Sequence, residues 1–310
     1  MTWNTRDQGK RAWLIDSHAH IFRAFHVWPQ AMTDGQGRPV NALHGFADFL
    51  LELLESLTRS NGGDLAVICA FDAPCGRRYR QAIYADYKAQ RPPPPRALVE
   101  QLSRCRELAQ AAGLPVFDHP GYEADDVIGT LAAELRAKGY RLTLLTGDKD
   151  LLQLLAPGDR WWNPSRQTVL EYSDVERHFG VLPEQIADWL ALTGDVADNI
   201  PGVPGIGPRI ASRLLKKHRD LDGIYSNLQA VYGMKFRGAP RTQTLLMEHE
   251  QTVRLARQLT GIVCDLSLPD VPRYWRPTDP AVLEALLKEA RIDATRRRRW
   301  AAVCEQAMVV

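Results

Sequence analysis

The chain has 310 residues, 45% of them apolar and 25% charged, which is enough for two domains with real cores. Its net charge is only +2, so total charge does not point to nucleic acid and the distribution has to be read instead. No apolar run approaches a bilayer span, residues 1–10 carry no apolar leader core, and the five cysteines are widely spaced with no Cys-x-x-Cys pair, which leaves a reduced, cytoplasmic protein without a zinc or disulfide framework.

Short apolar runs alternate with amphipathic stretches through the first half. Trp13-Leu14-Ile15 runs into Asp16, Leu65–Phe71 into Asp72, and Leu142–Leu145 into a Thr-Gly-Asp turn, with Leu114–Phe117 a weaker fourth run. Runs of this kind suit strands buried on both faces of a parallel sheet. Helical patterns fall at residues 43–58, 97–112 and 123–138, so the alternation predicts an α/β sheet with right-handed crossovers. Beyond about residue 175 strand signals stop, and residues 183–193, 208–218 and 240–258 read as helices. The expected division is an α/β domain over 1–175 and a helical part over 176–310, with irregular ends. The run Arg296–Arg299 is read as a solvated helix face in preference to a phosphate-touching tail. Arg91-Pro92-Pro93-Pro94-Pro95 should separate a basic segment from the helix that starts near Arg96.

Ligands bind outside the carboxyl ends of strands in open α/β sheets. Asp16 and Asp72 each end an apolar run and Asp148 closely follows one, so parallel strands would bring the three to one edge. A single such Asp is ordinarily a cap. Glu123, Asp125 and Asp126 open a helix, where the dipole already favours acids; Glu123 and Asp126 share a face and Asp125 lies about 100° away. In extended chain Asp148 and Asp150 would point the same way and Lys149 away. Asp195 and Asp198, at i and i+3, would share a helical face. So many carboxylates tolerate one another only around cations, and oxygen donors without His or Cys select Mg²⁺ or Mn²⁺ over zinc. Two such ions can clamp a phosphodiester. His18 and His20 resemble an H-x-H metal pair, but such sites need further histidines at later strand ends, and only His119 sits near one.

Arg77, Arg78, Arg80, Lys88 and Arg91 are interleaved with Tyr79, Tyr84 and Tyr87. Beside an acidic cluster, that pattern suits phosphate contacts and base stacking. The loop from Ile200 to Pro208 follows Asp198 directly. Its glycines permit close backbone approach, Pro208 fits a first helical position, and free amides there can hold a phosphate with Arg209 and Arg213 near. Gly202, Gly205, Ile206, Gly207, Pro208, Arg209 and Ile210 are the candidate DNA-binding residues of this loop, and that they hold duplex is what the family resemblance below implies.

The segments "LIDSHAHIFRAFH", "FDAPCGRRYRQAIYADYKAQRPP", "GYEADDVIGTLA", "LLTGDKDLLQLL" and "ALTGDVADNIPGVPGIGPRIA" together resemble the bacterial and phage 5′-nucleases, both the exonuclease domain of DNA polymerase I and stand-alone flap endonucleases of the exonuclease IX type. The likeness runs from about Trp13 to about Leu268. It implies a parallel-sheet, PIN-like nuclease domain with a helical arch, plus a helical part containing a helix-three-turn-helix. It implies Mg²⁺-dependent 5′-3′ exonuclease and 5′-flap endonuclease activity by a two-metal mechanism, on DNA with 5′ ends, flaps or branched junctions, by a monomer serving replication or repair. It assigns Asp16, Asp72, Glu123, Asp125, Asp126 and Asp148 to one metal and Asp150, Asp195 and Asp198 to the second. Arg23, Tyr87, Lys88 and Arg91 would grip the scissile phosphate. Carbonyls of Leu192, Thr193, Pro201, Val203 and Ile206 would hold K⁺. Some exonuclease IX-type proteins lack the second-metal acids, which this sequence keeps. Ser17 and His18 depart from the family's usual Gly and small polar residue. No polymerase segment follows Val310, so a stand-alone enzyme or a fragment is expected. The competing readings are a DNA-binding module without catalysis and a ribonuclease of the PIN type, which would lack the helix-three-turn-helix.

Overall fold

Arg11–Asp16 is buried along its whole length, on both faces, as a central parallel strand must be. The computed structural model describes residues 10–60, 65–73 and 78–308. In chain order, β1 (Arg11–Asp16), α1 (Ser17–Val27), α2 (Asn41–Ser60) and β2 (Ala66–Ala70) are followed by α3 (Arg78–Ile83), α4 (Arg96–Ala111), β3 (Val116–Phe117), α5 (Ala124–Ala137) and β4 (Arg141–Leu145). Then come β5 (Arg160–Asn163), β6 (Thr168–Glu171), α6 (Tyr172–Phe179), α7 (Ile186–Thr193), α8 (Pro208–His218), α9 (Leu221–Ser226) and α10 (Leu228–Tyr232). The last four helices are α11 (Ala239–Glu248), α12 (Glu250–Thr260), α13 (Pro280–Glu289) and α14 (Ala294–Met308).

Two compact units interleave along the chain. The first is Met1–Gly76, Pro93–Thr146 and Cys264–Val310; the second is Arg77–Pro92 and Gly147–Val263. This is not one boundary near residue 175. The loss of strand signals marks where the sheet ends in sequence, whereas the chain leaves and re-enters the first unit twice.

The first unit holds a parallel sheet in the order β3-β2-β1-β4. Its register sets Asp16 opposite Ala70 and Ile15 opposite Leu145, so Asp16, Asp72 and Thr146 emerge at the same carboxyl end. In α2, Phe46, Leu50, Leu54 and Leu57 are fully buried, a helical spacing that lays one stripe against the core. Among the described residues, the C-terminal part from Pro280 to Met308 is largely helical where irregular chain was expected. Asp279 caps α13 ahead of Pro280, and Asp293 accepts the amides of Thr295 and Arg296 at the start of α14. Arg296 bonds Asp48, Arg297 pairs with Glu284 and Arg299 with Glu55. The arginine run is a helix face fastened to α2 and α13.

In the second unit α7 packs on α12, where Arg257 bonds Asp188 at 2.5 Å. Residues expected as one helix over 240–258 form α11 and α12, divided at His249 with ψ 16°. The buried positions Leu246, Val253 and Ala256 keep helical spacing across the break, so the pattern reads as continuous. The antiparallel β5–β6 hairpin gave no sequence signal: its strands are four residues each and its turn lacks the glycine that marks a tight hairpin. Among the described residues no helix is long and apolar enough to cross a membrane.

Candidate active site

In the first unit Asp16 ends β1 and caps α1. One carboxylate oxygen accepts the Ala19 amide at 3.2 Å and the other accepts the Thr146 hydroxyl at 2.8 Å. Asp72 stands two residues beyond β2, and its Oδ1 accepts the Ala124 amide at 2.7 Å. Asp16 and Asp72 are thus placed at one sheet edge, as their strand-end positions predict. At the start of α5 the Asp126 carboxylate accepts the Glu123 amide at 3.2 Å, while the Asp126 amide bonds the Glu123 backbone carbonyl at 3.1 Å. Asp126 is fully buried in that role and Asp125 is half-buried. The helix-opening acids therefore divide unlike the sequence reading: Asp126 turns back on the amide that precedes its own helix, and Asp125 is the half-buried acid of the first turn.

His20 is a core residue. It is stacked on Phe49 at 3.9 Å, its Nε2 lies 3.1 Å from the Leu145 carbonyl, and burial pushes its pKa down to about 4. The H-x-H pattern is thus no metal pair. Arg23 lies exposed on α1.

The second unit gathers Asp148, Asp150, Asp195 and Asp198 with Lys88, Arg91 and Lys149. The segment Asp148–Asp150 is a turn, not extended chain: the Asp150 amide bonds Asp148 Oδ1 at 2.9 Å, and Asp150 opens a short 3₁₀ helix. Lys149 bonds Asp195 at 3.1 Å; burial opposes its charge, but Asp195 outweighs that and raises its pKa. Asp195 and Asp198 lie in a turn closed by paired backbone bonds between Asp195 and Ile200, at 2.9 and 2.8 Å, not on a helix. Gly194, at φ 77°, ends α7 and stops the helix before either acid. Asp198 receives Lys88 Nζ at 3.3 Å, Arg91 Nη2 at 2.5 Å and the Tyr87 hydroxyl at 3.1 Å. Further bonds to backbone carbonyls lock the same segments: the Lys88 amide donates to Asp198 O at 3.0 Å, Asn199 Nδ2 to Asp86 O at 2.7 Å, and Gln90 Nε2 to Val196 O at 3.0 Å.

The electrostatics of this set call for a cation. Asp148 keeps an open edge to solvent, yet dense surrounding atoms strip its water and raise its pKa, with Asp198 and Asp195 adding to the effect against the Asp150 amide and Lys88. Asp150 is pushed well above the ordinary carboxylate range by burial, then by Asp148, Asp195 and Asp198. Its Oδ1 is buried without a hydrogen-bond partner. An orphaned carboxylate oxygen among three other carboxylates fits a hard divalent ion. Among the described residues, no three acidic, histidine or cysteine side chains converge closely enough to ligate one ion as they stand. Lysine, arginine and amide groups hold several of these carboxylates instead, and ligation requires them to turn.

Several expected DNA contacts have other work. Arg80 is buried, and its guanidinium bonds the Leu259 carbonyl at 2.9 Å and the Gly261 carbonyl at 3.0 Å. A cation there satisfies the open carboxyl end of α12. Tyr87 is also buried, which removes it as a stacking platform. Arg77 lies outside the described residues, as does the side chain of Arg78. In the loop before α8, Ile206 is buried and Gly202 crosses α7: a Cβ on Gly202 would stand 2.3 Å from the Thr193 carbonyl carbon. Gly207 faces open space, Pro208 begins α8, and Arg209 and Arg213 are exposed. The roles of Thr146 and His18, which bond Asp16 and Asp72 respectively, were not foreseen from sequence; a polar side chain next to a strand end was the signal available.

The family profile for the 5′-3′ exonuclease N-terminal resolvase-like domain matches residues 11–180, and that for its C-terminal SAM fold matches residues 181–281. The chain belongs to the 5′-3′ exonuclease family. It is a DNA-hydrolysing nuclease. A 5′-3′ exonuclease of Aquifex aeolicus is 35% identical over 288 residues, covering 90% of this chain and 95% of that protein. DNA polymerase I of Rhizobium leguminosarum is 35% identical over 265 residues, 84% of this chain but 25% of that protein, so the chain spans about a quarter of that relative's length. The fold matches the bacteriophage T5 D15 flap endonuclease, solved in a pseudo-enzyme–product complex with DNA and metal ions. The TM-score is 0.62 at 20% identity, over 96% of this chain and all of that one.

Proposed function

We propose that this nuclease is a Mg²⁺-dependent 5′-3′ exonuclease and structure-specific 5′-flap endonuclease acting by a two-metal mechanism. The observation that carries this reading is the second unit's carboxylate set, with its orphaned Asp150 oxygen beside Lys88 and Arg91. The DNA and metal ions of the T5 complex support it by likeness of fold. The carboxylates of each unit supply the metal ligands: Asp16, Asp72, Glu123, Asp125 and Asp126 from the first, Asp148, Asp150, Asp195 and Asp198 from the second. Of these, Asp126 would have to leave the Glu123 amide and Asp198 its ion pairs. The bound ions would lower the pKa of water and offset charge on the phosphate.

Lys88 and Arg91 would exchange Asp198 for the scissile phosphate and stabilise its developing charge. Tyr87 would hold Asp198 and carry the ammonium of Lys88, which lies 4.9 Å from its ring centroid. Gly205, Gly207, the start of α8 and Arg209 would hold duplex through amides and charge. K⁺ would bind carbonyls of Leu192, Thr193, Pro201, Val203 and Ile206. Those of Leu192 and Val203 already accept the Val203 and Ile206 amides at 2.9 Å each, and each keeps a second lone pair. The DNA polymerase I relatives point to replication or repair, in a cytoplasmic monomer. The deciding test is a 5′-labelled flap incubated with Mg²⁺ and mapped for products. Cleavage at the junction leaving a 5′-phosphate is expected; tight binding of an intact flap overturns the reading.

A further inference from the structure

We propose that His18 is a positioning residue that sets the location of Asp72 relative to Asp16. This rests on the assignment of both aspartates to metal binding. The sheet ladder that guides β2 ends at Phe71, whose amide bonds the Phe117 carbonyl at 2.8 Å. The next amide, that of Asp72, lies beyond the ladder, and it donates to His18 Nδ1 at 3.1 Å. Asp72 is thereby held at two points: its backbone by His18, and its carboxylate by the Ala124 amide. Its other oxygen lies 4.0 Å from the imidazole.

His18 sits on the first turn of α1, the helix that Asp16 caps. One helical turn therefore fixes Asp16 through its cap and Asp72 through a side chain, so two carboxylates on adjacent strands share one reference. The ring itself is held edge-on to Phe71 at 5.8 Å and tilted against Phe22 at 6.2 Å. An Nδ1 that accepts an amide hydrogen carries no proton, which places the ring proton on Nε2. Outer partners that orient metal-binding carboxylates typically matter by about 10–100-fold in affinity or activity.

The test compares His18→Leu, which removes the acceptor, with His18→Asn, whose Oδ1 lies near the position of Nδ1, and His18→Gln, whose oxygen lies near that of Nε2. Mn²⁺ binding is followed by calorimetry without DNA, flap cleavage is resolved into kcat and KM, and DNA affinity is measured in Ca²⁺. We expect the Leu and Gln variants to raise the Mn²⁺ midpoint and lower kcat by about 10-fold or more, with KM and DNA affinity unchanged and the Asn variant restoring both. In an Asp72→Asn background, His18→Leu should add nothing. The proposal is overturned if His18→Leu leaves the Mn²⁺ midpoint at the wild-type value, if His18→Asn falls as far as His18→Leu, or if only thermal stability moves. An Asp72→Asn variant that binds Mn²⁺ normally overturns the carboxylate assignment itself, and the His18 role with it.

Discussion

Arg80 and Arg209 are both arginines in segments that the sequence marks as basic, yet they have opposite surroundings. Arg80 is buried on the carbonyls that end α12; Arg209 is exposed at the start of α8. Arg80→Ala strands those carbonyls, so it should cost about 1–3 kcal/mol of stability in denaturant unfolding and leave the salt dependence of DNA binding unchanged. Arg209→Ala should do the reverse, with an unaltered unfolding midpoint, weaker binding and a salt slope reduced by about one. His20 gives a pH prediction at the same scale. Its folded pKa of about 4 lies below the usual 6.5, so the unfolded chain takes up the proton first. The stabilisation is full above pH 6.5 and is lost as pH falls toward 4, by about 3 kcal/mol at most. The unfolding free energy of the wild type should therefore drop more steeply over that window than that of His20→Phe, which keeps a ring against Phe49. Parallel curves would disprove the neutral, buried histidine.

At the scale of elements, the loop between α7 and α8 separates two reasons for glycine. Gly202 is needed for packing, since a Cβ there meets the backbone of Thr193 and Gly194 within 2.4 Å. Gly207 has nothing near its missing Cβ. Gly202→Ala should lower the melting temperature by an amount equivalent to at least about 1–3 kcal/mol, and duplex binding should fall with it. Gly207→Ala should melt normally yet bind duplex more weakly, because its methyl group occupies the face offered to the backbone of DNA. A Gly207→Ala variant with full duplex affinity would remove that face from the contact. Sequence could not rank these glycines, because what each one touches depends on a crossing of chain segments. The same limit shows elsewhere. Asp16 and Asp72 were legible because a strand end is a local event with a known direction. The return of Asp126 onto the Glu123 amide was not, because an acid in a first helical turn suits the dipole whichever way its side chain points. The arginine run of α14 was legible as a helix face but not as a fastened one, because its acidic partners Asp48, Glu55 and Glu284 lie far away in sequence or on another helix.

For the whole molecule, the acidic set should make stability depend on divalent ions. Asp148 and Asp150 have raised folded pKa values, so folding favours their protonated forms. Stability contributed below the ordinary carboxylate pKa is lost as pH rises through the folded values, and at neutral pH the cluster opposes folding. Divalent ions that bind the folded chain alone should reverse this, by about 2.7 kcal/mol at one hundred times the dissociation constant. The melting temperature should therefore rise with Mg²⁺ or Mn²⁺ beyond what NaCl of equal ionic strength gives. Asp150→Asn should raise the melting temperature in EDTA, because it removes one like charge, while the gain from Mn²⁺ shrinks and flap cleavage is lost. A stability gain and an activity loss from one neutral substitution distinguish a metal-binding carboxylate from a structural one, whose removal would lower both. If Asp150→Asn melts below the wild type in EDTA, the crowding of these carboxylates is not opposing the fold, and the cation requirement drawn from Asp150 Oδ1 fails with it.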